Sequence, residues 1–206
     1  AFSNCTKLNK DLIPKQFYYT LNDPDMPCFK YLLAGERHVG KTSLMNKYAE
    51  NNILNDYPGI EFRIKFVRIG DNSMKLQVFS APGIELYRVQ RAYYRSAFCL
   101  IVVFDLNQQL SFDNAKFYLE NCFVFDNKTF PVLFGNKCDL EHVVKDEDIN
   151  ALVNKLNIKY FEVSAKDGTN VKEAFDYINE KANEKINQKL NEKVNQNNEK
   201  KKCIIY

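Results

Sequence analysis

The sequence predicts an α/β domain: a mostly parallel β-sheet with helices packed on both faces. Three observations carry that prediction. AFCLIVVFD (97–105) and FPVLFG (130–135) are unbroken apolar runs, the mark of parallel strands buried on both faces. Strand patterns alternate with stretches whose apolar residues recur at helical spacing, which implies helices laid over a sheet. Between the first strand and the first helix stands the glycine-bounded loop Gly35-Glu36-Arg37-His38-Val39-Gly40-Lys41-Thr42, the turn expected where such a sheet meets a ligand.

In chain order, residues 1–26 are polar and mixed and are expected to form a flexible extension. CFKYLLA (28–34) is a strand, and LMNKYAE (44–50), with Leu44, Met45 and Tyr48 on one face, is a helix. RIKFVRI (63–69) alternates like a half-exposed strand; Gly70-Asp71-Asn72-Ser73 signals a hairpin, and KLQVFS (75–80) returns beside it. After the run at 97–105, Ser111 is placed to cap a helix carrying Phe112, Ala115 and Leu119. Asp146–Leu156 is a helix with Ile149, Leu152, Val153 and Leu156 inward, and KYFEV (159–163) is the last strand. Asn170 opens the final helix, with Glu173 at the capping-box position and Val171, Ala174, Phe175 and Ile178 inward. Near Lys181 the composition shifts to Asn, Lys, Glu and Gln. Ala182, Ile186, Leu190 and Val194 form a narrow stripe, so residues 182–206 are expected to be a fraying helix or tether.

The composition narrows the functional classes. A net charge of +3 over 206 residues is too small to argue for nucleic acid. The six cysteines are scattered without CxxC pairs or metal-ligand spacing, which fits a reducing, cytoplasmic setting. No stretch approaches the ~20 apolar residues of a transmembrane helix.

Gly35 to Thr42 matches G-x-x-x-x-G-K-[ST]. The glycines let the backbone wrap so that N–H groups face phosphate oxygens, and the helix N-terminus adds positive potential. Lys41 is placed to reach the β- and γ-phosphates and the Thr42 hydroxyl to ligate Mg²⁺; Arg37, His38, Val39 and Ser43 complete the candidate phosphate site. After FPVLFG comes Asn136-Lys137-Cys138-Asp139. The Asp139 carboxylate can accept two hydrogen bonds from a guanine edge. Adenine has no such donor pair and would leave the carboxylate desolvated and unpaired, a mismatch of several kcal/mol. After KYFEV comes Ser164-Ala165-Lys166, where a backbone N–H can donate to the guanine carbonyl and a Lys stem can cover the base. GTP and GDP with Mg²⁺ are therefore the expected ligands.

With these motifs in order, the chain resembles the Ras-like small GTP-binding proteins, and most of all the Rab branch, which labels membranes in vesicle traffic. Further stretches carry the likeness: Gly59-Ile60-Glu61-Phe62, Lys75-Leu76-Gln77-Val78-Phe79, Glu85-Leu86-Tyr87-Arg88, Tyr93-Tyr94-Arg95-Ser96-Ala97, Val103-Phe104-Asp105 and Ser111-Phe112-Asp113-Asn114. The resemblance implies the P-loop NTPase fold, a six-stranded sheet with one antiparallel strand flanked by five helices, over a G domain at residues 27–181. It also implies effectors that read two switch loops, an exchange factor, and the prenyltransferase and escort proteins that handle a lipidated chain.

The likeness fails at the γ-phosphate. In VFSAPGIELY (78–87), Ser80 stands where the family has an Asp that holds water on Mg²⁺, and Ile84 where it has the Gln that orients the attacking water. Gly83, whose N–H is a candidate γ-phosphate contact, is kept but follows the stiff Pro82. Between Ser43 and Phe62 there is no Thr or Ser; the family's switch Thr has Tyr57 or Pro58 in its place, and Ile53 falls where an aromatic usually covers the base. Arg37 admits two readings. Its side chain crowds out the attacking water, or its guanidinium bends in to stabilise phosphate charge; crowding is preferred, because an arginine finger needs close aim. No residue is thus assigned a catalytic role, and if the chain is an enzyme it is a very slow GTP hydrolase.

The chain closes with Lys200-Lys201-Lys202-Cys203-Ile204-Ile205-Tyr206. Cys203, followed by two aliphatics, resembles a prenylation box with an atypical last residue. One lipid binds marginally alone, and three lysines can add about 1 kcal/mol each near an anionic leaflet. The expectation is a Rab-like switch or marker, peripheral on the cytosolic face of intracellular membranes, with weak or absent hydrolysis. The alternatives are a nucleotide-insensitive pseudo-GTPase scaffold, and an ordinary slow GTPase whose activator supplies the missing residue.

Overall fold

Apolar runs and apolar alternation mark most of the strands here. The computed structural model describes residues 25–49, 53–57, 60–81, 96–125 and 129–203. Its strands are β1 (Cys28–Ala34), β2 (Ile53–Tyr57), β3 (Ile60–Ile69), β4 (Asn72–Ser80), β5 (Cys99–Asp105), β6 (Phe130–Asn136) and β7 (Lys159–Val163). Its helices are α1 (Lys41–Tyr48), α2 (Gln109–Phe125), α3 (Asp146–Leu156) and α4 (Val171–Cys203). The sheet order is β2-β3-β4-β1-β5-β6-β7.

The six expected strands are all present, with β3 antiparallel to β4 and the other neighbouring pairs among them parallel. A seventh, β2, is added at the edge, antiparallel to β3 with Ile53 opposite Ile64 and Tyr57 opposite Ile60. It occupies backbone that the sequence reading treats as a switch loop. Of the five helices implied, four lie within the described residues.

The unbroken apolar runs are explained by a core on each face of the sheet. Tyr31, Leu33, Ile101 and Val103 turn to one side, where they meet Leu44, Met45 and Tyr48 of α1 and Phe175 and Ile178 of α4. Their neighbours Leu32, Ala34, Leu100, Val102 and Phe104 turn to the other, against Phe112 and Leu119 of α2 and Ile149 and Leu152 of α3. Period-2 side-chain alternation forces this division. Between α1 and α4, the Tyr48 and Phe175 rings stack with centroids 3.8 Å apart, and Asn179 Oδ1 accepts hydrogen bonds from Tyr31 (2.9 Å) and Tyr48 (3.2 Å).

One helix start and one helix cap differ from expectation. α2 begins at Gln109, so Ser111 lies inside its first turn; its hydroxyl donates to Gln108 O (2.8 Å) and accepts from Asp105 N (2.9 Å). Asn170 has φ 55, and its side chain donates to Glu162 O (3.0 Å). It therefore tethers the loop to β7 rather than closing a capping box with Glu173.

Of the fraying helix or tether expected for the tail, the helix is what is described: α4 runs without a break through residues 182–203. Ala182 and Ile186 are buried on the core, and Asn72 at the start of β4 donates to Asn183 Oδ1 (2.6 Å) and Asn187 Oδ1 (2.8 Å). Tertiary packing thus holds about one further turn beyond the expected boundary. Leu190 and Val194 continue the stripe but are exposed. No described helix is long and apolar enough to cross a membrane.

Candidate functional site

β1 delivers the chain to the loop at 35–40, and the loop's shape follows from what surrounds its glycines. Gly35 has φ 144, and a Cβ there would stand 2.1 Å from Val103 O. Gly40 has φ 95, and a Cβ there would meet Asn136 Nδ2 at 2.2 Å. Both positions therefore exclude side chains. Val39 is fully buried and pins the loop to the core, while Arg37 and His38, the latter with φ 65, stand exposed at its rim. α1 starts at Lys41 with no acidic residue of its own in its first turn, so the positive end of the helix faces the loop.

Lys41 is buried, and its Nζ donates to Gly35 O (2.9 Å) and Glu36 O (2.5 Å). Burial pushes its pKa down to about 8; Glu36 and Glu61 oppose that shift, and Arg37 adds to it. An ammonium held this way gains from an incoming anion, because phosphate oxygens replace solvation that the fold has removed. Beside it, the Thr42 hydroxyl lies 3.4 Å from Ser80 Oγ and donates to the Glu61 carboxylate. Hydroxyl and carboxylate oxygens are hard donors of the kind Mg²⁺ takes, and the glycine-lined loop beside them suits phosphate. The residues present therefore fit a Mg²⁺–nucleotide pair.

The second half of the site gathers at the ends of β6 and β7. Asn136 is buried; its Nδ2 donates to Val39 O (2.7 Å), and its Oδ1 accepts from Ala165 N (3.0 Å). Lys137 follows with φ 67, and its Nζ reaches Asp105 Oδ2 at 2.5 Å. Asp139 Oδ1 accepts from Ser164 Oγ (2.8 Å), and its other oxygen lies 3.4 Å from Lys166 Nζ. The Ser164 bond, with smaller help from the backbone and Lys166, holds the Asp139 carboxyl below the usual carboxylate range. It is thus a fixed acceptor at neutral pH, as recognition of paired N–H donors needs.

The structure brings Gly35, Val39, Gly40, Lys41, Thr42, Asn136, Ala165 and Ser80 into one connected region, with Lys137, Asp139, Ser164 and Lys166 adjoining it. Ser43 is exposed on α1. Pro58, Pro82, Gly83 and Ile84 lie outside the described residues, and for Ile53 and Tyr57 only the backbone is described. Cys203 is the last residue of α4. Two residues matter here whose roles motif reading does not supply. Asp105 anchors Lys137, and Glu61 bonds Thr42; in the sequence both belong only to family-like stretches. Pairing β3 against β4 in register would have placed Glu61 opposite Ser80.

A phosphate-loop α/β fold with this pair of adjoining sites defines a nucleotide-binding protein. The comparison with known families agrees and is narrower: the Ras family pattern matches residues 30–184, and the chain belongs to the Ras family of small GTP-binding proteins. It is 40% identical over 156 residues to Ras-related protein Rab-13 of Bos taurus, covering 71% of this chain and 76% of that one. It is 39% identical over 163 residues to Rab7 of Cenchrus ciliaris, covering 72% and 79%. It is 36% identical over 155 residues to Rab-2B of Dictyostelium discoideum, covering 72% and 77%. GTP or GDP with Mg²⁺ is the general ligand of this family.

Asn136→Ala removes both ties between the loops and leaves the buried Val39 O and the half-buried Ala165 N without this partner. Each orphaned group costs about 1–3 kcal/mol. The expected loss of at least about 2 kcal/mol is measurable by urea unfolding of the nucleotide-free protein. A loss under about 0.5 kcal/mol would show that the loops hold their positions without the amide.

Proposed function

We propose that the protein is a Rab-like membrane-traffic switch that binds GDP and GTP and hydrolyses GTP very slowly. Phosphates sit in the loop formed by Gly35, Val39, Gly40, Lys41 and Thr42, with Arg37 and His38 at its rim. The base is held by Asp139, with Asn136, Lys137, Ser164, Ala165 and Lys166 shaping its pocket. Thr42 would hold Mg²⁺, which would supply positive charge to offset that of the phosphates. The switch loops are read by effectors, and an exchange factor resets them. Cys203 carries a prenyl group, fitted by a prenyltransferase and escort proteins. With Lys200, Lys201 and Lys202 it holds the protein on the cytosolic face of an intracellular membrane.

The observation that carries slow hydrolysis is Ser80. At the end of β4 its hydroxyl lies 3.4 Å from Thr42 Oγ1, and a hydroxyl brings no negative charge to a metal-bound water. Ile84 cannot orient an attacking water, and Arg37 crowds the approach. Loss of one such group typically costs ~10²–10³ in rate, on an intrinsic family rate of about 10⁻⁴ s⁻¹.

Single-turnover hydrolysis of bound GTP should therefore fall below ~10⁻⁶ s⁻¹. Ser80→Asp with Ile84→Gln should raise the rate modestly, and adding Arg37→Gly should raise it by more than Arg37→Gly does alone, as groups acting as a unit do. An unmodified protein that turns over at about 10⁻⁴ s⁻¹ contradicts this reading and points to replacement machinery.

The anchor has its own test. In cell fractionation, Cys203→Ser should move the protein from the membrane to the soluble fraction, since a polybasic segment without lipid binds weakly. Retention in the membrane fraction would place the anchor elsewhere.

A further inference from the structure

Ser80 takes a carboxylate away from the end of β4, but the register of the sheet brings another to the same place. Glu61 is the direct antiparallel partner of Ser80, and cross-strand partners project from the same face with Cβ atoms about 5 Å apart. The Glu61 carboxylate accepts the hydrogen bond of the Thr42 hydroxyl, and Ser80 Oγ stands 3.4 Å from that same Thr42 oxygen. Thr42, Ser80 and Glu61 thus form one cluster of oxygens. It is built from the first turn of α1, the end of β4 and the start of β3, and it holds one negative charge.

We propose that Glu61 is a positioning residue for Mg²⁺: acting through Thr42, it supplies the negative charge that Ser80 lacks. This rests on the nucleotide reading above. A hydroxyl that donates its proton to a carboxylate has its lone pairs turned outward and is a more basic oxygen ligand. Carboxylates behind a metal ligand commonly act in this way. The charge also offsets the cation's own, in a region where Ser80 contributes only a dipole. A carboxylate on β3 beside Thr42 would thus favour Mg²⁺ retention although Ser80 supplies no charge. Nucleotide retention and slow hydrolysis are therefore compatible in one site. Without Mg²⁺, the same carboxylate faces the phosphates as a like charge and weakens their binding.

The test is Mg²⁺ dependence of nucleotide release, a binding readout. Full-length chain is loaded with a fluorescent GDP analogue, and its release is timed from chelated to millimolar Mg²⁺. Glu61→Gln keeps the shape and removes the charge. It should raise the Mg²⁺ concentration that half-slows release by roughly 10- to 100-fold, while release under chelation stays the same or slows. Ser80→Asp placed in the Glu61→Gln background should return the Mg²⁺ midpoint toward that of the unmodified protein. If Glu61→Gln leaves the midpoint unchanged, the proposal is overturned. It is equally overturned if release quickens by the same factor at every Mg²⁺ concentration, because that marks a structural role. If the unmodified protein retains no analogue at any Mg²⁺ concentration, the nucleotide reading falls and the proposal falls with it.

Discussion

The architecture of the site depends on the buried side-chain amide of Asn136. It stands at the end of β6 and spends its two ends on two different loops, donating to Val39 O and accepting from Ala165 N. The phosphate loop and the turn after β7 are far apart in sequence, and this amide fixes their separation. It also dictates local sequence, because any side chain at position 40 would collide with it. A satisfied buried network of this kind rigidifies what it joins, and its loss is costly because each freed group is left without water. Lys137 and Asp105 extend the same tie to β5, and Ser164 extends it to the Asp139 carboxylate.

The division between what the site keeps and what it lacks follows this connectivity. The residues expected to contact phosphates and base hang on interlocked hydrogen bonds, so a change at one disturbs the others. Of the residues expected at the γ-phosphate, Ser80 lies at the end of β4 and meets the rest of the site through Thr42. A change at Ser80 therefore leaves the Asn136 ties untouched. Thr42 is the hinge between the two halves, sharing its hydroxyl among Ser80, Glu61 and the expected metal.

The sheet was legible in the sequence because two-sided burial leaves an uninterrupted apolar run, as in β5 and β6, and one-sided burial leaves alternation, as in β3. The phosphate and guanine motifs were legible because their residue types are tied to local turn geometry. The bounds of α3 and β7 were read to the residue. Less was visible where long-range pairing decides the outcome. Ser111 looks like a cap, but its hydroxyl has a better acceptor and donor pair in Gln108 O and Asp105 N, so α2 starts earlier. The stripe Ala182–Ile186 looks too narrow to pack, yet the Asn72 amide and the edge of the core hold it. β2 lacks a pattern of its own and takes its form from pairing with β3. Glu61 reads as an ordinary polar strand residue until strand register sets it beside Ser80.

The proposed site holds a guanine nucleotide although Ser80 and Ile84 stand at the positions read as γ-phosphate positions. This is tested most directly by purifying the full chain in Mg²⁺, releasing what it carries with acid, and identifying it by chromatography. A guanine nucleotide at close to one per chain is expected, depleted when the protein is held in a chelator. A protein that emerges empty, or that carries adenine nucleotide, would contradict it.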